Sequence, residues 1–273
     1  QAEDGIRDRS PSRGLGDVYK RQVITGFKEF EDKEFIQTAY TEWGASGLAA
    51  VWAESNTRDS IYNAFRRKET FATTGSRIKV RFFAGYDIEN ALNEKDPIAF
   101  AYSKGVTMGS DILESDGRTP SFLVWALRDI KRAPLDRVQI IKGWTEISGR
   151  TYEKVFDVAC SWGVAPDPTT NRCPNNGAKV NLDNCEISKN VGSNELKTIW
   201  KDPEFDPSIK AFYYVRVLEN PTCRWSTWDA LKSGNKPRAD VTPTIQERAW
   251  SSPIWYVPII LGFSAVNILP DDL

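Results

Sequence analysis

Polar and apolar residues change rhythm twice along this chain. Residues 2–22, AEDGIRDRSPSRGLGDVYKRQ, follow neither a helical nor a period-two pattern and read as disordered. A short helix-like stretch covers residues 34–42. SGLAAVWAE follows at 46–54, a nearly continuous apolar run of the kind that suits a strand covered on both faces, as in a parallel sheet. Asn56 is placed to cap a helix, with Asp59 completing a capping-box-like start. Ile61, Tyr62, Ala64 and Phe65 form its apolar side, and Arg66, Arg67 and Lys68 crowd its last turn, where cations complement the helix dipole. A short strand at 70–74 completes one βαβ-type unit that closes at Gly75.

Beyond Gly75 the period becomes two. Ile78, Val80 and Phe82 alternate with Lys79, Arg81 and Phe83, and similar strands recur at SFLVWAL (121–127), RVQIIKGW (137–144), KVFDVAC (154–160), AFYYVRVLE (211–219) and PIWYVPII (253–260). Reversals fall at Asp116-Gly117, Pro134, Ser148-Gly149, Asn175-Asn176-Gly177 and Asn220-Pro221. Residues 194–200 read as a short helix. Short strands without long intervening helices predict an antiparallel, immunoglobulin-like β-sandwich. The mostly apolar run at 254–269 is interrupted by Pro258, Gly262, Ser264 and Asn267; it is too short to span a bilayer and reads as a final strand plus tail.

Composition sharpens this picture chiefly through histidine, which is absent. Nucleophile systems built on Ser-His-Asp or Cys-His are therefore excluded from the chain, as are His-containing zinc sites. Carboxylate-only sites survive. A formal charge of -1 provides no global field for nucleic acid or an anionic membrane. Cys160, Cys173, Cys185 and Cys223 contain no Cys-x-x-Cys pair and read as two disulfides restraining a loop rich in Asn, Pro and Gly. Four free thiols are the alternative, and three pairings are open.

No Gly-rich phosphate loop, Gly-x-Ser-x-Gly elbow or calcium-loop spacing occurs, and no residue is singled out as catalytic or as a metal ligand. Glu54 and Arg58 form the most pointed pair, at the junction of a buried strand and the next helix, where α/β folds place pockets. A structural ion pair or cap is the competing reading. In RWSTWD and ERAWSSPIWY, aromatic rings stand beside charged groups. An exposed row of Trp225, Trp228, Trp250 or Trp255 would suit a non-catalytic glycan- or protein-binding module, whereas buried rings would be sandwich packing.

Residues 50–87 (AVWAESNTRDSIYNAFRRKETFATTGSRIKVRFFAGYD), with DRVQIIKGW, EKVFDVA, AFYYVRVLENPTCRWSTWDA and IQERAWSSPIWY, resemble in order the carboxy-terminal half of the Domain of Unknown Function 3604 family. That family is similar to the PHP (polymerase and histidinol phosphatase) superfamily of metal-dependent hydrolases. Residues 1–22, read as disordered from their pattern, also resemble a translated sequencing adaptor, in which case the natural sequence begins near Val23; a genuine flexible linker is the alternative. The family resemblance implies that residues 23–75 are the end of a PHP-like α/β barrel, 76–257 a β-sandwich and 258–273 a tail. It further implies a parent whose His and Asp metal ligands lie upstream, in a barrel missing from this chain that would be its partner in the same polypeptide. Divalent metal ions and a small-molecule substrate are expected in the parent, and no cofactor in this chain. Glu54, Arg58, Glu247 and Arg248 are the residues expected to line the parent's pocket. A periplasmic or secreted location is implied, although no signal peptide opens the sequence. The Thr74-Gly75-Ser76 corner departs from the family's usual Gly-Pro.

Overall fold

The computed structural model describes residues 27–30, 33–36, 46–146 and 148–258. The predicted disorder of residues 2–22, most of the helix-like stretch after Ile36 and the tail beyond Pro258 lie outside them. The strands β1 (Phe27–Phe30) and β2 (Lys33–Ile36) pair as an antiparallel hairpin, so the start of the expected helix is a strand. Strand β3 (Leu48–Val51) leads to helix α1 (Arg58–Arg66) and strand β4 (Thr70–Thr73). Next come β5 (Lys79–Gly85), α2 (Pro97–Lys104), β6 (Val106–Thr107), β7 (Asp111–Leu113), β8 (Ser121–Leu127), β9 (Leu135–Thr145) and β10 (Thr151–Cys160). A long loop then reaches β11 (Glu195–Lys201) and β12 (Ala211–Glu219). The remaining elements are β13 (Thr222–Cys223), α3 (Trp225–Lys232), β14 (Thr244–Ile245), β15 (Arg248–Ser251) and β16 (Ile254–Val257).

Two sheets carry the fold. One has eight strands, with the path β10-β9-β12-β15-β4-β3, and β16 pairing both β12 and β7; the other has four, in the order β11-β8-β5-β6. Their facing side chains form one core, in which Val80, Phe82, Phe122 and Val124 of the smaller sheet meet Val138, Ile140, Phe156, Tyr213, Val215 and Val217 of the larger. This is the arrangement of a β-sandwich. The alternation along β12 follows from it, since residues 211, 213, 215, 217 and 219 are buried and those between are half-exposed. The smaller sheet is buried on its other side too: Phe83 and Leu123 pack with Ala101 of α2 and with Ile88 and Ala91. SFLVWAL is therefore apolar at both parities.

Four expectations need correction. The strands flanking α1 are direct antiparallel neighbours, with Leu48 opposite Thr73 and Val51 opposite Thr70, so the unit is not a βαβ crossover. The cause is local: Lys68 adopts a left-handed φ of 57° just after the nine-residue helix and turns the chain straight back. Among the described residues β3 is the last strand on its side of the sheet path, with Leu48 exposed, and is not covered on both faces. The α1 cap is Thr57, whose hydroxyl accepts from the Ser60 N–H, in place of the Asn56 and Asp59 arrangement. Residues 195–201 form a strand where a helix was expected, paired with β8 from Glu195 opposite Leu127 to Lys201 opposite Ser121.

The four cysteines form two disulfides, Cys160–Cys173 and Cys185–Cys223. They pin the loop between β10 and β11, which is further held by Asn176. Its amide donates to Asp136, Ser161 and Asn220.

Candidate functional site

A pocket of about 540 Å³ opens beside β4, lined by Trp52, Ala53, Glu54, Arg67, Glu69, Arg81, Tyr102 and Thr107. Its centre is the Glu69 carboxylate, 2% exposed, which the left-handed turn at Lys68 swings inward from the end of α1. Thr107 reaches it because the neighbouring Gly109, at φ +87°, lies so close to the backbone of Lys68 that a Cβ would sit 2.3 Å from the Lys68 carbonyl oxygen.

Four groups converge on Glu69. The Tyr102 hydroxyl donates to Oε1, Thr107 donates to the same oxygen at 3.3 Å, and Arg81 approaches it at 3.4 Å, while Arg67 lies 3.4 Å from Oε2. Arg81 also donates to the Tyr102 oxygen at 2.5 Å and sits over the Trp52 ring, its Cζ 3.5 Å from the centroid. The Trp52 indole N–H in turn donates to the Val80 carbonyl at 2.7 Å, and Phe83 supports the Tyr102 ring edge-on. Loss of solvent, followed by the hydrogen bond to Glu69, pushes the Tyr102 phenol up to about 12, so it remains a donor at neutral pH. With these donors aimed at it, the Glu69 carboxylate is committed to holding the wall of the pocket. The arrangement can bind a polar ligand along Arg67, Glu54 and the Trp52 and Tyr102 rings.

Of the residues expected to line a pocket, Glu54 alone lines this one. Arg58 is an exposed residue at the start of α1, outside the lining. Glu247 and Arg248 lie at the other end of β4, where the Arg248 carbonyl accepts from the Thr74 N–H. Five residues of extended chain separate that point from Glu69, about 16 Å. The structure therefore does not gather the four into one site.

Glu247 instead faces a second carboxylate. Its carbonyl accepts from the Glu219 N–H at 2.9 Å, placing the two residues opposite each other on adjacent antiparallel strands. Glu219 is fully buried, and neither of its carboxylate oxygens nor Oε2 of Glu247 has a hydrogen-bond partner; the Ser76 hydroxyl sits beside Glu219 without reaching hydrogen-bonding geometry. Burial first, and the Glu247 charge second among the raising influences, push Glu219 up to about 7. Nothing in the spacing of the sequence announces this opposition, which depends on the register of β12 and β15.

The tryptophans divide between two places. Trp225 and Trp228 are on α3, whereas Trp250 and Trp255 are on β15 and β16, so they make no single row. Glu69, Arg81, Tyr102 and Thr107 were not singled out in the sequence. Glu69 did carry one signal: an anion directly after a helix C-terminus opposes the dipole and calls for another partner. Among the described residues no group of three or more His, Cys, Asp or Glu side chains converges to hold a metal ion, and no helix is long and apolar enough to cross a membrane.

Neither a curated protein nor a solved structure matches this chain. A family model described as a protein of unknown function (DUF3604) matches residues 16–258, beginning within the segment read as adaptor-like and running through β16. The chain belongs to the DUF3604 family.

Proposed function

We propose that this chain is the carboxy-terminal, non-catalytic part of a larger PHP-like metal-dependent hydrolase of the phosphoesterase or esterase class. In this reading an immunoglobulin-like sandwich, whose larger sheet is extended by β4 and β3, supplies one wall of the substrate pocket. The observation that carries it is the Glu69 cluster. Residues of the strand–helix–strand unit (Arg67, Glu69) are locked to residues that follow it (Arg81, Tyr102, Thr107) around an open polar pocket, yet the carboxylate at its centre is occupied by donors. Such a wall orients a ligand and leaves the reacting groups to another part of the protein. A metal bound in the upstream barrel would supply the activated water. The two cystines support an oxidising compartment, periplasmic or extracellular, for the parent.

The test is hydrolysis of p-nitrophenyl phosphate and p-nitrophenyl acetate in the presence of Mn²⁺, Zn²⁺ or Mg²⁺, for this chain and for the product of the reading frame extended upstream. We expect turnover only from the longer protein. Metal-dependent turnover by the chain alone, or an upstream region without histidines, would overturn the reading.

A further inference from the structure

The outer face of the larger sheet carries an aromatic strip that neither the core nor the Glu69 pocket uses. Its middle member is Phe212, opposite Gly143 on one side and Trp255 on the other. A Cβ built on Gly143 would meet three carbons of the Phe212 ring at 2.3 to 3.0 Å, so the far end of the half-buried ring packs directly over the glycine backbone. Tyr214, two residues along the same strand, is nearly parallel to it, at 15° and 6.3 Å between centroids. Trp255 continues the strip at 5.0 Å, tilted by 48°, with 38% of its surface exposed.

The groups around these rings are charged, and their charges balance. Glu153 is opposite Gly143 on β10, and Asp111 is opposite Trp255 on β7. Lys210 places its ammonium 5.9 Å from the Trp255 centroid, and Arg216 stands next along β12 beyond Tyr214. Two carboxylates and two cations thus surround the three rings, a frame that favours neither an anionic nor a cationic occupant.

We propose that Phe212, Tyr214 and Trp255 form a binding platform for a neutral oligosaccharide. A pyranose ring presents an apolar C–H face that stacks on a flat aromatic ring, and its equatorial hydroxyls point to the side, where carboxylates accept and ammonium or guanidinium groups donate. Phe212 and Tyr214 offer two nearly parallel rings along β12, and Trp255 offers a third, angled, across the strand pair.

The test is calorimetric titration of the full chain with cellohexaose, xylohexaose, maltohexaose and, as the charged comparison, oligogalacturonate. Binding of at least one neutral sugar is expected, weakened at least tenfold by Trp255→Ala and separately by Tyr214→Ala, and unchanged by Trp228→Ala on α3. Retention of the melting temperature in Trp255→Ala separates loss of the platform from loss of the fold. Absence of binding by every neutral sugar at millimolar concentration, equal binding by Trp255→Ala, or preference for the charged oligomer would overturn the proposal. None of these outcomes bears on metal-dependent turnover, so the hydrolase reading stands or falls separately.

Discussion

Glu219 shows most directly how one buried group governs a measurable property. Its carboxyl is held near 7 in the fold against an ordinary 4.5, because burial and the opposed Glu247 disfavour its charge. Below the unfolded value both states are protonated and there is no penalty. As pH rises from about 4.5 to about 7, the unfolded chain ionises first, the folded chain binds more protons, and stability falls; above 7 the cost is fully present, on the order of 3 kcal/mol. Glu219→Gln is therefore expected to stabilise the protein at pH 8 and to make no difference near pH 4, measured by urea unfolding at both. At the other end of β4, Tyr102→Phe removes one donor from a carboxylate that has only 3% of its side chain exposed. We expect a loss of about 1–2 kcal/mol in the same assay, with the fold retained by circular dichroism. Neither site was legible in the sequence. Glu54 was found because it ends an apolar run, but Glu69 and Glu219 look like ordinary polar positions until the Lys68 turn and the strand register place them.

Elements were easier to read than sites, and the reason is burial on one face. AFYYVRVLE and SFLVWAL coincide with β12 and β8 because strict alternation suits a strand buried on one face, and a short, dense apolar run suits one buried on both. β11 was missed because it presents Lys197 and Lys201 on one side and only Leu196 fully buried on the other, and because the preceding Asn194 resembles a helix cap. α2 was missed although Asp96 caps it, accepting from the N–H groups of Ile98 and Ala99, with Pro97 in its first turn. α1 shows the opposite failure. Its apolar side was read correctly as residues, yet only Ala64 is buried and Tyr62 and Phe65 are exposed, since the periodicity of a helix does not say what covers it. The disulfides were expected from composition, but their pairing came only with the fold. The bond at Cys185–Cys223 closes a separation of 38 residues and that at Cys160–Cys173 one of 13. Chain entropy then gives about 4 and about 3 kcal/mol respectively. Cys185→Ser with Cys223→Ser should lower the unfolding free energy more than the Cys160 and Cys173 pair does, read from denaturant midpoints at constant slope.

Across the whole molecule, the antiparallel sandwich was legible and the continuity of its larger sheet was not. β3 and β4, read as the end of an α/β barrel, are hydrogen-bonded into the same sheet as β9, β12 and β15, so the corner at Gly75 is a turn within one layered body. The loop between β10 and β11 lies against that body through Asn176, Asn171 and Ser193 without being part of its sheets. It contributes no strand to either sheet, and isolated bridges, Asx-type turns and the two cystines are what shape it. A reductant would thus act as an unlatching key. In dithiothreitol the strands should keep their far-ultraviolet signature while a protease such as thermolysin, at sub-denaturing dose, nicks first within residues 161–194; oxidised protein should resist at that stretch. Passage from an oxidising to a reducing environment would then mark this polypeptide for clipping at one address, long before its core gave way.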